Sequence, residues 1–192
     1  EAGAAKASDT VLTLGTGGVS VFGMQWAKML GARVIITSSS DEKLARMREL
    51  GADMTINYRT NPDWPSEVLN LTGGEGADII LNNVGLGELE NCLLSAASNG
   101  RIMHIGANPV VHNQGPQAPL AMTKIPNIII KNLTIRGIIV GSRRMFVDCL
   151  TAMEVNNIKP IIDRVFDWDD IYECIEYMQS GEKLGKIVIR VQ

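Results

Sequence analysis

Side chains that build disulfides, metal sites and membrane spans are scarce in this sequence. It has three Cys, two His and three each of Phe, Tyr and Trp in 192 residues. Cys92, Cys149 and Cys174 are odd in number and far apart, with no CxxC and no His at ligand spacing. A disulfide framework or a zinc knuckle is therefore not expected, and a reducing, cytoplasmic setting is. No apolar run approaches the ~20 residues that span a bilayer. The longest, Ile128 to Val140, is broken by Lys131, Asn132 and Arg136. A net charge of -3 gives no basic surface for nucleic acid or anionic lipid, and neither is expected as a partner. The chain also lacks an initial Met, opening Glu1-Ala2-Gly3 and reaching its first strand almost at once, so an excised or processed fragment is expected.

What is present is an alternation of short apolar runs and helical patterns. With 45% hydrophobic and 20% charged residues, the chain is long enough for one ample domain with its own core. Strands are expected at Thr10–Leu14, Arg33–Thr37, Asp53–Asn57, Ala77–Leu81, Gly100–Ile105 and Leu133–Val140. Helices are expected at Val19–Leu30, from the Ser39-Ser40-Asp41-Glu42 capping box to Leu50, near Ser66–Leu71, at Gly87–Ser98 and around Leu120–Lys131. The stretch Gly106–Pro119 is long for a loop, which suggests function or mobility. Beyond Val140 come a helix near Met145–Val155, a strand Asp163–Phe166, a helix Asp169–Met178 and a strand Lys186–Val191. This alternation predicts an α/β fold: a doubly wound, mostly parallel sheet with helices on both faces.

The chain's most informative stretch is Gly15-Thr16-Gly17-Gly18-Val19-Ser20, between the first strand and the first helix. It fits GxGxxG except at the last position, where Ser20 replaces glycine. The first glycine permits the tight turn, the second lets backbone approach a pyrophosphate, and the helix N-terminus supplies N–H groups and partial positive charge. A dinucleotide site normally carries an acid at the end of the second strand for the ribose hydroxyls. Here that position reads Thr37-Ser38-Ser39. Ser38, Ser39 and Lys43 suit donation to a 2′-phosphate instead, and a charge-assisted bond is worth about 1.5–3 kcal/mol. NADP is therefore expected in preference to NAD. A plainer assignment makes Ser39 only a helix cap and Lys43 only a surface charge.

Asn82-Asn83-Val84-Gly85 resembles the NNAG turn of short-chain dehydrogenases, but their Tyr base needs Lys four residues on. Tyr58, Tyr172 and Tyr177 are followed there by Pro62, Glu176 and Gly181. The segment Val11–Arg59 closely resembles instead the cofactor domain of medium-chain dehydrogenase/reductases, of the zinc-type alcohol dehydrogenase and quinone oxidoreductase-like branch. GEGADIILNNVG (Gly74–Gly85), GRIMHIGA (Gly100–Ala107), IRGIIVGSR (Ile135–Arg143), NNIKPIIDRVF (Asn156–Phe166) and LGKIVIRV (Leu184–Val191) extend the likeness along nearly the whole chain.

The resemblance implies a six-stranded Rossmann domain over 1–143, and over 144–192 a segment that returns to a catalytic domain absent from this sequence. Any zinc ligands would belong to that domain. It implies that Gly15, Gly17, Gly18 and Val19 hold the pyrophosphate, and that Ser38, Ser39, Lys43 and Tyr58 surround the 2′-phosphate end. Asn83 and Val84 would face the ribose and nicotinamide side. Ile105, Gly106 and Ala107, with Ile139, Val140 and Gly141, would line the nicotinamide, and Lys186 would reach back towards the cofactor. Leu133–Val140 would be an edge strand that pairs in a homodimer. His104 and His112 are read as structural or solvent-facing. The implied activity is hydride transfer between the nicotinamide and a small alcohol, carbonyl, enone or quinone. The other reading is a nucleotide-binding module, sensor or scaffold, without turnover.

Overall fold

The computed structural model describes residues 3–106 and 124–191. Six parallel strands form the main sheet: β1 (Thr10–Thr13), β2 (Arg33–Ser38), β3 (Met54–Asn57), β4 (Ala77–Asn82), β5 (Ala96–His104) and β6 (Thr134–Gly137). Their order is β3-β2-β1-β4-β5-β6, so the winding reverses between β1 and β4. In open sheets of this kind ligands bind at the carboxyl ends of the strands flanking such a reversal.

Neighbouring strand residues divide between two cores, as the pleat requires. Val11, Val34, Ile36, Ile79 and Met103 pack on one face with Val21 and Met24 of α1 (Gly18–Met29) and Leu44 and Met47 of α2 (Asp41–Glu49). On the other face Leu12, Ile35, Ile80 and Ile102 meet Trp64 and Val68 of α3 (Trp64–Leu71) and Leu93 of α4 (Leu89–Ser95). Both faces are covered, which is why these strands are near-continuous apolar runs rather than alternating ones. This is the expected Rossmann arrangement.

Several boundaries differ from the sequence expectation, for identifiable reasons. The cap of α2 is Ser40, whose Oγ accepts from Lys43 N–H at 3.3 Å; this puts Lys43 rather than Glu42 at the third helical position, so the cap is a simple serine cap and not the expected capping box. Helix α4 stops at Ser95 instead of Ser98. Lys131 Nζ donates to the carbonyls of Leu93, Leu94 and Ala96 at 3.2, 2.8 and 2.8 Å, so a distant residue takes the helix's terminal acceptors. Strand β6 ends at Gly137, not Val140. Its pairing with β5 runs out at His104, and among the described residues no strand lies beside Ile139 and Val140.

The expected helix over Leu120–Lys131 appears, among the described residues, as α5 (Pro126–Ile130). Helix α6 (Arg143–Val155) buries no residue. Strands β7 (Ile162–Asp167) and β8 (Lys186–Arg190) pair in parallel as a separate two-stranded sheet, connected by α7 (Ile171–Ser180). No helix among the described residues is long and apolar enough to cross a membrane.

Asp53 fastens β2 to its surroundings from the turn before β3. Its carboxylate accepts from Val34 N–H at 2.7 Å and from Lys28 Nζ at 2.7 and 2.8 Å. Burial alone would raise the Asp53 pKa, but the Lys28 ammonium and the Val34 N–H outweigh it and hold it below the ordinary value. A depressed folded-state pKa adds stability above the unfolded value of about 3.9 and forfeits it as pH falls through the folded value. Asp53→Asn is therefore expected to lower the thermal midpoint at neutral pH and to flatten its decline below about pH 4. Unfolding curves taken from pH 7 down to pH 3 check this. An acid limb identical to that of the unaltered chain would contradict it.

Candidate functional site

The turn after β1 is built from both ends of the chain. Gly15 takes φ +82°, the left-handed region that glycine enters freely, and its N–H donates to Thr37 Oγ1 of β2 at 3.1 Å. Gly17 is extended and caps α1 without a side chain, and the first turn of α1 holds no acidic residue. Val21 N–H donates to Gly17 C=O at 3.0 Å as α1 begins. The positive end of the helix dipole therefore has no carboxylate in its first turn to neutralise it.

Ser20 is completely buried. Its hydroxyl donates to Leu14 C=O at 2.8 Å and accepts from Asn83 Nδ2 at 3.1 Å, binding β1, α1 and the end of β4 together. The close helix–sheet approach usually credited to the motif's third glycine occurs one turn later, at Gly23. A Cβ there would run into Leu81 Cδ1 and lie 3.5 Å from Thr13 Cγ2.

The C-terminal segment closes over this turn. Gly185 N–H donates to Thr16 C=O at 3.0 Å, and Gly17 and Gly185 form an isolated parallel bridge. Lys186 follows, its side chain over Gly18. A Cβ added at Gly18 would lie 2.8 Å from both Cε and Nζ of Lys186, and the ammonium is 5.7 Å from the centroid of the Phe22 ring. Among the described residues no carboxylate pairs with Lys186; the ion pairs join other groups. An ammonium and a positive helix end converge at this turn.

At the end of β2, Thr37 is committed to Gly15, and Ser38, also buried, accepts from Ser40 N–H at 3.3 Å. Ser39 is half-buried beside them. Asp41, the nearest acid, opens α2 and accepts from Asn57 Nδ2 at 2.8 Å. Tyr58 is exposed, its N–H donating to Ser38 C=O at 3.0 Å. Lys43 stands apart from the reading given to it above. Its ammonium donates to Gly181 C=O at 2.6 Å and Lys183 C=O at 3.3 Å, beyond the end of α7. Burial pushes its pKa down, against the opposing pull of Asp163, Glu182 and Glu42. That cation is occupied in securing the C-terminal segment.

At the end of β4, Asn83 and Val84 are half-buried, and Asn83 Oδ1 is sealed from solvent with no donor among the described residues. Ile105 and Gly106 N–H both donate to Asn82 C=O, at 2.8 and 3.1 Å. Gly106 abuts the Asn83–Val84 backbone so closely that a Cβ would lie 2.5 Å from Asn83 O. Ala107 and His112 lie outside the described residues. Ile139 and Val140 are 90% and 80% exposed, and Gly141 is exposed as well.

The structure thus gathers Gly15, Gly17, Gly18 and Lys186 at one point, and Asn83, Val84, Ile105 and Gly106 beside it. Ser20, Thr37, Gly23 and Gly185 belong to the same construction; Gly185 is expected there beside Lys186, whereas the other three are not among the site residues that the sequence marks. Their roles lie in contacts between distant segments. The fit to a dinucleotide is good: two convergent positive groups for the pyrophosphate and a buried orphan acceptor for a ligand hydroxyl or amide. Among the described residues no three His, Cys, Asp or Glu gather to hold a metal ion.

Residues 18–154 match a family model described as zinc-binding dehydrogenase. A zinc-type alcohol dehydrogenase-like protein of Schizosaccharomyces pombe is 40% identical over 186 residues, covering 97% of this chain and 53% of that protein. A crystal structure of an NAD-dependent alcohol dehydrogenase superposes with a TM-score of 0.85 at 34% identity, over 100% of this chain and 53% of the other. A quinone oxidoreductase of Pseudomonas syringae pv. tomato DC3000 does so with a TM-score of 0.78 at 25% identity, over 98% and 58%. The chain spans about half the length of the curated relatives it matches.

The Ser20 strut makes a prediction independent of any ligand. Ser20→Ala strips a donor from Leu14 and an acceptor from Asn83, and is expected to cost about 1–3 kcal/mol in urea unfolding. An unchanged denaturation midpoint would show that the hydroxyl is dispensable.

Proposed function

The chain belongs to the zinc-binding dehydrogenase family, and from that premise we propose that it is the cofactor-binding half of an oxidoreductase acting with NADP(H). The carrying observation is the meeting of the uncapped α1 N-terminus with the Lys186 ammonium at the Gly15–Gly18 turn. The substrate class is an alcohol/carbonyl pair, an enone or a quinone. When bound, the nicotinamide supplies the hydride donor or acceptor; the roles left to this chain are binding and orientation. Gly15, Gly17, Gly18, Val19 and Lys186 hold the pyrophosphate, and Asn83, Val84, Ile105 and Gly106 lie along its ribose and nicotinamide side.

The NADP preference rests on the lack of a free acid at Thr37–Ser40, since Asp41 is bonded to Asn57. With Lys43 engaged elsewhere, Ser38 and Ser39 are the donors nearest to a 2′-phosphate. Residues 1–143 form the dinucleotide domain, and 144–192 join it to the remaining half of the protein. Exposed apolar side chains such as Val140, Phe146, Trp168 and Tyr172 suit burial against that half. Strand β6, exposed along its length at the sheet edge, suits pairing with a second copy. The alternative is a nucleotide-binding module without turnover, which assay of the longer protein on alcohols, enones and quinones decides.

Calorimetric titration tests the cofactor reading directly. NADPH is expected to bind more tightly than NADH, and Ser39→Asp to weaken NADPH about tenfold or more while sparing NADH. Lys186→Met is expected to weaken both together and to reduce the salt dependence of binding. No binding of either dinucleotide would remove the reading, and tighter binding of NADH would remove the NADP preference.

A further inference from the structure

Asn82 ends β4 completely buried, and its side chain clamps the turn that follows. Its Oδ1 accepts from Gly85 N–H at 3.1 Å and its Nδ2 donates to Gly85 C=O at 2.9 Å. A backbone N–H only donates and a carbonyl only accepts, so these two bonds determine which way the amide faces. The remaining contact of Nδ2 is then a donation to His104 Nδ1, 3.2 Å away on β5 at the paired position of the ladder. His104 must accept there, which puts the proton of the neutral ring on Nε2.

The turn needs such fastening. Gly85 has φ 136° and ψ −165°, a conformation essentially confined to glycine, so surrounding contacts must over-determine it. Between the clamped ends lie Asn83 and Val84. Asn83 is held in turn by Ser20, while its own Oδ1 has no partner among the described residues. His104 thereby stands at the outer end of a chain of hydrogen bonds that leads through Asn82 and Gly85 to the residues assigned to the ribose.

We infer that His104 is a positioning residue: by accepting from Asn82 it sets the Asn82–Gly85 turn in the shape that presents Asn83 and Val84 to the dinucleotide. This rests on the cofactor reading above. The ring touches no ligand in this account and acts only through Asn82.

Replacement with and without an acceptor tests it. His104→Asn keeps an acceptor near the position of Nδ1, whereas His104→Leu removes it. His104→Leu is expected to weaken NADPH binding about tenfold and His104→Asn to remain within about threefold of the unaltered chain. Nitrogen NMR of the unaltered chain should find His104 protonated on Nε2 and unprotonated on Nδ1. Without any nucleotide, the Asn83 and Gly85 amide resonances should move in His104→Leu and return in His104→Asn. Equal effects of the two variants, or a proton on Nδ1, would overturn the proposal. If the unaltered chain bound no dinucleotide, the cofactor reading would fall, and the amide resonances alone would still decide the clamp.

Discussion

One buried hydroxyl carries much of this architecture. Ser20 Oγ gives its hydrogen to the carbonyl just after β1 and takes one from the side chain just after β4. The winding of the sheet reverses between those two strands, so any ligand crevice must open there. By joining them through the first turn of α1, Ser20 fixes the height and direction at which the helix N-terminus meets the crevice. The Gly15 turn, anchored to β2 through Thr37, then has little freedom left.

Charge gives this geometry its purpose. The N-terminus of α1 has no acid in its first turn, and the chain returns more than 160 residues later to lay Lys186 over the same turn. Both direct positive charge at the same point, an arrangement that favours an anion there. The backbone bond from Gly185 to Thr16 holds the chain beside this turn, so the fold itself carries Lys186 to it. The same segment is secured from the far side by Lys43, whose ammonium serves the carbonyls of Gly181 and Lys183. A lysine that sequence spacing directs towards a phosphate is thus diverted to hold in place the segment that brings another.

The parallel sheet and the glycine turn were legible in the sequence because both are local. Apolar runs of strand length, the glycine at Gly31 after α1 and the GxGxx spacing are written within a few residues of one another. Features set by distant partners were not. The early end of α4 depends on Lys131, the early end of β6 on where β5 runs out, and the Lys43 contacts on the C-terminal segment. From sequence Ser20 is only the residue that replaces the motif's last glycine, because its two partners, Leu14 and Asn83, come together only in the folded chain. Nothing local to Gly23 reveals that Leu81 lies against it.

Mapping amide resonances during an NADPH titration tests the central claim most directly. The largest shifts are expected at Gly15, Gly17, Gly18 and Val19, with a second group at Asn83, Val84 and Gly106 and little change in α3 and β3. Saturable shifts centred away from the Gly15–Ser20 turn, or none at that turn at millimolar NADPH, would contradict it.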